Sequence, residues 1–454
     1  MLVKNMLEPI RVQEGLSRVE LGLLAAGILF LPYDGMPILP MTYRPLTLFP
    51  LCVAGLVHIV RIRKHISEVI RSHKILLALC FVAVFYTTIQ SVLIGELFRL
   101  SRFMTTATLG VFSYITFYEL FHEMRLKYSK DQIISWLFGL IALGYLPSLC
   151  FGIVELLSIE GIISAEINTI LMQIFGGWQP DRIYITSREA SWASIHMLIA
   201  AFSYFYLLLN EKKLRWILPL LISMVLFLFT KSMQGVLVLV CGFLMWMAWY
   251  CIRSRSLKKS IIIITGFIGI CIVGYCLLYA VMSLQPGYYY AQRFLGLKDF
   301  GSLIELIHTD QSTFTRLMSP VIGIWMMLEH LPFGVGGCMY SYYYSDFICA
   351  HMPWALSLPE VSSFASGITE ASPFCLYSRL ACEFGIIGIC FVIGLFINYY
   401  SGTMKLPSTK KGMLTAAFAF VVLAFPLQFD SYYCMPLLLV AALVISFVQD
   451  DHSR

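Results

Sequence analysis

Residues 179–194, QPDRIYITSREASWAS, place two arginines (Arg182, Arg188) and two carboxylates (Asp181, Glu189) immediately before a long apolar run. A guanidinium presents a planar fork of donors that matches a phosphate, and a neighbouring carboxylate can take a proton or orient the fork. His196 follows Glu189 by seven residues, about two helical turns, and so shares its face. That face is a candidate proton route, or else His196 is a buried histidine hydrogen-bonded to a neighbour. Lys231, alone in FTKSMQGV (229–236), either snorkels to lipid phosphate or faces inward as a third positive charge. Arg316 opens a helical stretch and could aim at a phosphate or simply begin a surface helix. Arg379 and Glu383 lie i, i+4 apart, a spacing at which they neutralise each other on one helix face. Arg99 and Arg102, in GELFRLSR, read as headgroup anchors.

The elements that must position these groups are membrane helices. The 454 residues are 59% hydrophobic and 13% charged, with a mean hydropathy of +0.79, far from a soluble domain. Runs long enough to cross about 30 Å of hydrocarbon fall near 20–33, 43–60, 75–94, 103–121, 132–154, 189–209, 214–230, 233–252, 260–283, 373–400, 412–429 and 431–448. The first resembles a signal-peptide core, but no small-residue cleavage site follows and it is taken as an anchor. The predicted fold is therefore an all-α polytopic membrane protein of about 12 helices, a single integral membrane domain over 1–454.

The loops 61–74, 122–131, 210–215, 253–259 and 401–412 hold 18 of the 32 Lys and Arg residues. They are every second loop, which puts both termini on the cytoplasmic side. The net charge of +6 is this bias and implies nothing about nucleic acid. Two larger segments remain outside, 155–188 and 284–372. The latter, between helices 9 and 10, is expected to fold as a cap because bare backbone is not tolerated against lipid. Its tyrosine clusters, QPGYYYAQRF (285–294) and MYSYYYSDF (339–347), read as an interfacial belt or as a sugar-stacking surface. Arg293 and Tyr340 within them are the candidate substrate contacts. The thirteen cysteines show no metal spacing; a disulfide among Cys338, Cys349 and Cys375 stays open. No nucleotide-binding glycine loop, zinc pattern or repeat is present, and no cofactor or metal is expected.

Three stretches together resemble a known family. RIYITSREASWASIHML (182–198), FTKSMQGVLVLVCG (229–242) and FTRLMSPVIGIWMMLEHLPFGVGGCMY (314–340), the last followed by LYSRLACEFGIIGICFVIGL (376–395), are similar to segments of the bacterial O-antigen polymerase (Wzy) and O-antigen ligase superfamily. The resemblance covers roughly 182–395 in order and spacing. It implies a GT-C-like glycosyltransferase of the inner membrane whose active site and 284–372 loop are periplasmic. The donor would be an oligosaccharide on undecaprenyl diphosphate, passed to a sugar hydroxyl with inversion and without a metal. Arg182, Arg188 and Arg316 match family arginines and are expected to hold the diphosphate. Glu189 matches the family glutamate, as base or as orienter of an arginine. Lys231 is the displaced substitute for an arginine that the family keeps at the position of Met233.

Ligases of the superfamily carry a histidine near the end of the large loop. Here EASPFCLYSRLACEFG (370–385) has none, and His308, His330 and His351 stand elsewhere. The resemblance thus implies a polymerase using lipid-linked repeats as donor and acceptor, with membrane lipids around it and a chain-length regulator as a further partner. The alternatives are a ligase transferring polymer to lipid A-core, or a polysaccharide transporter or flippase, which would concentrate charge at the membrane midplane.

Overall fold

The computed structural model describes residues 16–37, 43–177, 179–254 and 300–448, with scattered single positions between 255 and 299. These residues form helices and, among them, no strand. In chain order the helices are α1 (Arg18–Leu29), α2 (Leu48–Arg61), α3 (Ile66–Ser72), α4 (Lys74–Ile94), α5 (Leu97–Arg125), α6 (Lys130–Ile159), α7 (Ala165–Phe175), α8 (Ala190–Glu211), α9 (Ile217–Phe229) and α10 (Met233–Ser254). After the undescribed stretch come α11 (Phe300–Thr309), α12 (Gln311–Glu329), α13 (Tyr340–His351), α14 (Pro359–Ala365), α15 (Leu376–Met404), α16 (Lys410–Ala424) and α17 (Met435–Ser446).

Among the described residues six helices are long and apolar enough to cross a membrane: α4, α6, α8, α10, α15 and the Lys410–Leu427 stretch that contains α16. Leu48–Arg61, Leu214–Phe229 and Met435–Ser446 are apolar but shorter. At 1.5 Å per residue the twelve residues of α1 or α17 reach about 18 Å, well short of the hydrocarbon thickness. The expected span at 260–283 lies outside the described residues. On α4 only 11% of the apolar window is buried by the rest of the chain, and Phe81, Phe85 and Leu93 point outward. Such a contiguous apolar face is stable against lipid and not against water.

α8 is the central post. It packs on α6, α9, α10 and α16, and His196, Tyr204 and Tyr206 along it are fully buried. Its start is set from outside the helix. Glu155 near the end of α6 accepts the backbone N–H groups of Tyr184 (3.0 Å) and Ile185 (2.8 Å), and this pins the loop that carries Arg182 and Arg188. Thr186 donates to the Pro32 carbonyl at 2.6 Å, so the loop rests on the chain just after α1. Gly235 lets α10 approach α8: a Cβ there would sit 2.5 Å from Ser194 Oγ.

The described part of the predicted cap, 300–372, is helical and has an apolar cluster of its own, including Phe314, Ile322, Met326, Tyr344, Phe347 and Val361. It docks on the membrane helices through backbone. α15 breaks at Gly385 (φ 56°, ψ −131°), which releases carbonyls that a continuous helix would have used. Val335 N–H donates to Cys382 O and Gly336 N–H to Glu383 O, both at 2.9 Å, and Ile386 N–H returns to Pro332 O at 3.0 Å. Gly334 and Gly336 take φ of 79° and 96°, conformations open to glycine at little cost. The glycines of LPFGVGG and of CEFG thus serve one joint.

Candidate functional site

The start of α8 with the loop 182–188 before it, the start of α10 and the second turn of α12 come together where the 300–372 segment meets the other helices. Arg316 is the centre. With the Gln234 amide oriented to satisfy both neighbours, its oxygen accepts from Arg316 Nε (2.6 Å) and Nη1 (3.1 Å), while its nitrogen donates to Ser191 Oγ (3.0 Å). Ser191 Oγ in turn donates to Glu189 Oε2 at 3.0 Å. Arg316 Nη2 stands 3.7 Å from the same carboxylate, and the guanidinium carbon lies 4.4 Å above the Phe374 ring. The fork is therefore clamped along its Nε–Nη1 edge and on one face, and Nη2, beside Glu189, keeps donor capacity for an incoming anion. Arg316 is 24% exposed and Glu189 30%, half-shielded values suited to a site that must open to a ligand.

Glu360, at the start of α14, approaches Thr315, the residue before Arg316 on α12. Thr315 Oγ1 lies 3.5 Å from its Oε2, and Gln311 Oε1 accepts its backbone N–H at 3.1 Å. Burial pushes the Glu360 carboxyl above the ordinary carboxylate range, although Arg316 and the Thr315 hydroxyl pull the other way and Glu189 adds to the push.

The other expected site residues take different places. Arg182 does not present its fork to the site: Nε donates to Thr230 O (2.9 Å), Nη2 to Lys231 O (3.3 Å) and Nη1 to Gln179 Oε1 (2.9 Å). It ties the loop before α8 to the turn before α10, three residues from Gln234, so its part in the site is positional. Lys231 (φ 50°) pairs with Asp181 at 3.2 Å and not with Glu189. Arg188 stands at the loop's other end, close enough to Arg44 for the two charges to repel. Arg293 lies outside the described residues.

His196 does not continue from Glu189 as a proton route. It is fully buried, with Nε2 2.9 Å from Asp34 Oδ2 and Nδ1 on the Tyr145 hydroxyl, a closed group under the loop. Helical phase put it on Glu189's face but could not show that the chain after α1 supplies its carboxylate. Tyr340 is likewise no surface for sugar: it is 2% exposed, its hydroxyl donates to Ser319 O at 3.2 Å, and its ring lies 5.6 Å from that of Tyr344. It is core of the cap.

A second polar cluster lies at the joint of cap and bundle. Arg379 Nε pairs with Glu383 at 2.9 Å as the spacing predicts. It also reaches Asp430 O at 3.1 Å and Cys338 Sγ at 3.1 Å, with Tyr432 bonded to Glu383 and Ser372 to Asp430. Arg102 pairs with Glu370, and Arg99 Nη1 stands 3.5 Å from the same side chain. These two arginines clasp the end of the cap where lipid anchoring had been expected. Cys338, Cys349 and Cys375 are all free thiols. A cleft of about 380 Å³ lined by His58, Arg61, His65, Glu119 and His122 opens at the other end of α5 from Arg99 and Arg102. Its lining acids are already paired, Glu119 with His73 at 2.8 Å, Glu123 with Arg61 at 2.5 Å and Glu68 with His65 at 3.3 Å.

Gln234, Ser191, Phe374 and Glu360 escaped the sequence reading. For Gln234 a signal existed, since a glutamine at the start of an apolar helix needs a polar partner; the others are ordinary residues whose role is set by neighbours distant in the chain. Comparison with known protein families, with curated proteins and with solved structures finds no match. Fold and composition define a helical, membrane-embedded protein with a polar cluster where the 300–372 segment meets α8 and α10.

Proposed function

We propose that this chain is a polytopic glycosyltransferase of the O-antigen polymerase type, joining oligosaccharide repeats carried on undecaprenyl diphosphate. The observation that carries the reading is the Glu189–Ser191–Gln234–Arg316 cluster, because it gathers one residue or more from each of three stretches that resembled the family separately. In this reading about 12 helices span the bacterial inner membrane, both termini are cytoplasmic and the cap faces the periplasm. Arg316 stabilises the negative charge that grows on the departing diphosphate, and a fixed, half-shielded guanidinium does so without reorganising during the step. Glu189 holds that guanidinium. Arg182, Arg188 and Lys231 shape the loops around it and keep the site positive, which favours an anionic lipid headgroup. The acceptor is the terminal sugar of another lipid-linked repeat, and a separate regulator sets chain length.

The test is the surface-polysaccharide profile and the undecaprenyl-linked glycan pool of a host lacking the gene. A ladder collapsed to a single repeat, not restored by Arg316→Ala although that variant reaches the membrane, supports the assignment. Polymer that accumulates on undecaprenyl and never reaches the core makes the protein a ligase. An unchanged ladder removes both readings and leaves capsule synthesis or transport.

A further inference from the structure

α12 carries an apolar stripe on its outer side. Leu317, Val321, Ile324 and Leu328 recur at helical spacing and are all exposed, and Leu331 and Phe333 extend the stripe past the helix end. The turn that follows is fixed against a membrane helix. The Tyr86 hydroxyl donates to Gly334 O at 2.6 Å and Thr87 Oγ1 accepts from Gly337 N–H at 2.9 Å, while the Phe333 ring lies 5.8 Å from that of Tyr86. Thr87 is thirteen residues from Lys74, about 20 Å along α4, and the hydrocarbon layer is about 30 Å thick. Exposed apolar residues continue beyond it at Val92, Leu93, Leu97 and Phe98. The turn therefore lies beside the lipid-facing surface and not above it.

We infer that α12 and the turn after it enter the bilayer as a re-entrant element, with the stripe from Leu317 to Phe333 packed against the acyl chains of one leaflet. Irregular backbone at membrane depth must be satisfied within the protein, and this turn is. Val335 N–H donates to Cys382 O, Gly336 N–H to Glu383 O and Gly334 N–H to His330 O, all at 2.9 Å, and Pro332 O accepts from Ile386 N–H at 3.0 Å. The helix descends alongside α15: Ser378 Oγ donates to Pro320 O at 2.6 Å, and the turn meets α15 further along, at Cys382 to Ile386. Charge at the deep end is compensated, as lipid requires, because Glu329 pairs with His351 at 3.0 Å. The polar groups gather at the other end, where Asp310 caps the helix through Thr313 N–H at 2.7 Å and Arg316 faces Glu189 at the start of α8. α12 thus moves from the outer loop, where the sequence placed it, into the leaflet. Lipid contact is independent of the glycosyltransferase reading, and it sets Arg316 at headgroup depth, where an anionic lipid head meets it without leaving the bilayer.

The test places the full-length wild-type protein in nanodiscs of phospholipid bearing a photoreactive diazirine on the acyl chain, and locates the lipid adducts by mass spectrometry. Hydroxyl-radical oxidation of the protein in plain nanodiscs is the matching probe for water. Phe81 and Phe85 on α4 are the lipid references, and Ile368, 83% exposed in the turn before Glu370, is the water reference. Lipid adducts are expected on Val321, Ile324 and Leu328 as on Phe81 and Phe85, with oxidation at the stripe lost relative to Ile368. A stripe oxidised like Ile368 and free of adducts overturns the inference. So does a stripe that neither probe reaches, since protein then covers it. Leu328→Lys gives a second reading: a lysine in hydrocarbon is costly, so the thermal midpoint in nanodiscs should fall by several degrees, while Ile368→Lys leaves it unchanged. A Leu328→Lys midpoint equal to wild type overturns insertion.

Discussion

Gln234 is the crossbar of the site, and its replacement by leucine is the most direct test of how the cluster is built. The side chain is 8% exposed, so leucine fits its volume but leaves Arg316 Nε and Nη1 without their acceptor and Ser191 without its donor. A hydrogen bond to a charged group contributes about 1.5–3 kcal/mol, and two are lost. Arg316 is 24% exposed, so water recovers part of that, and a net loss of about 2 kcal/mol is the reasonable magnitude. If the clamp matters chiefly when charge develops on the leaving group, that loss appears in kcat/KM as a fall of about 30-fold. Gln234→Glu keeps an acceptor for Arg316 but adds a carboxylate that competes with a diphosphate, so its effect should fall mainly on KM. The assay is glycan extension in membranes matched for the amount of protein, on lipid-linked glycans from the deletion host. Gln234→Leu within about twofold of wild type, while Arg316→Ala is inactive, would refute the clamp.

Other consequences follow from the same contacts. Gly385→Ala puts a Cβ against the Pro332 carbonyl at a φ of 56°, and should cost about 2 kcal/mol or more and loosen the cap, seen as a lower thermal midpoint and faster proteolysis between 300 and 372. Asp34→Ala removes the carboxylate from the fully buried His196 and should destabilise the protein by about 3 kcal/mol; unchanged thermal unfolding would show that the pair contributes nothing. Glu155→Leu leaves the Tyr184 and Ile185 N–H groups buried without an acceptor, a cost of about 2–4 kcal/mol, and should release the 182–188 loop, measured as faster amide exchange there. Glu370→Ala loses exposed pairs with Arg99 and Arg102 (Glu370 is 38% exposed) worth about 0.5 kcal/mol together, an effect that should fade at high salt.

Much of the architecture was legible in the sequence because it follows from one-dimensional quantities. Hydropathy in runs, charge bounding them and the 3.6-residue period marked α4, α6, α8, α10, α15 and α16. The i, i+4 spacing of Arg379 and Glu383 was enough to predict their pair, since helix geometry alone brings them together. Arg316 and Glu189 were candidates on the resemblance, and the structure brings the two side chains to 3.7 Å. What linear pattern could not supply was the partner of each group. Arg182 and Arg188 looked equivalent to Arg316 as phosphate ligands, yet Arg182's fork is taken by the carbonyls of Thr230 and Lys231, some fifty residues away. His196 shares a helical face with Glu189, yet its proton partners are Asp34 and Tyr145. Tyr340 had the composition of a sugar platform and became core. In each case the side chain's chemistry was local, whereas the free energy that assigned it a role came from contacts with segments distant in the chain, and only the packing of those segments against one another decided which contacts formed.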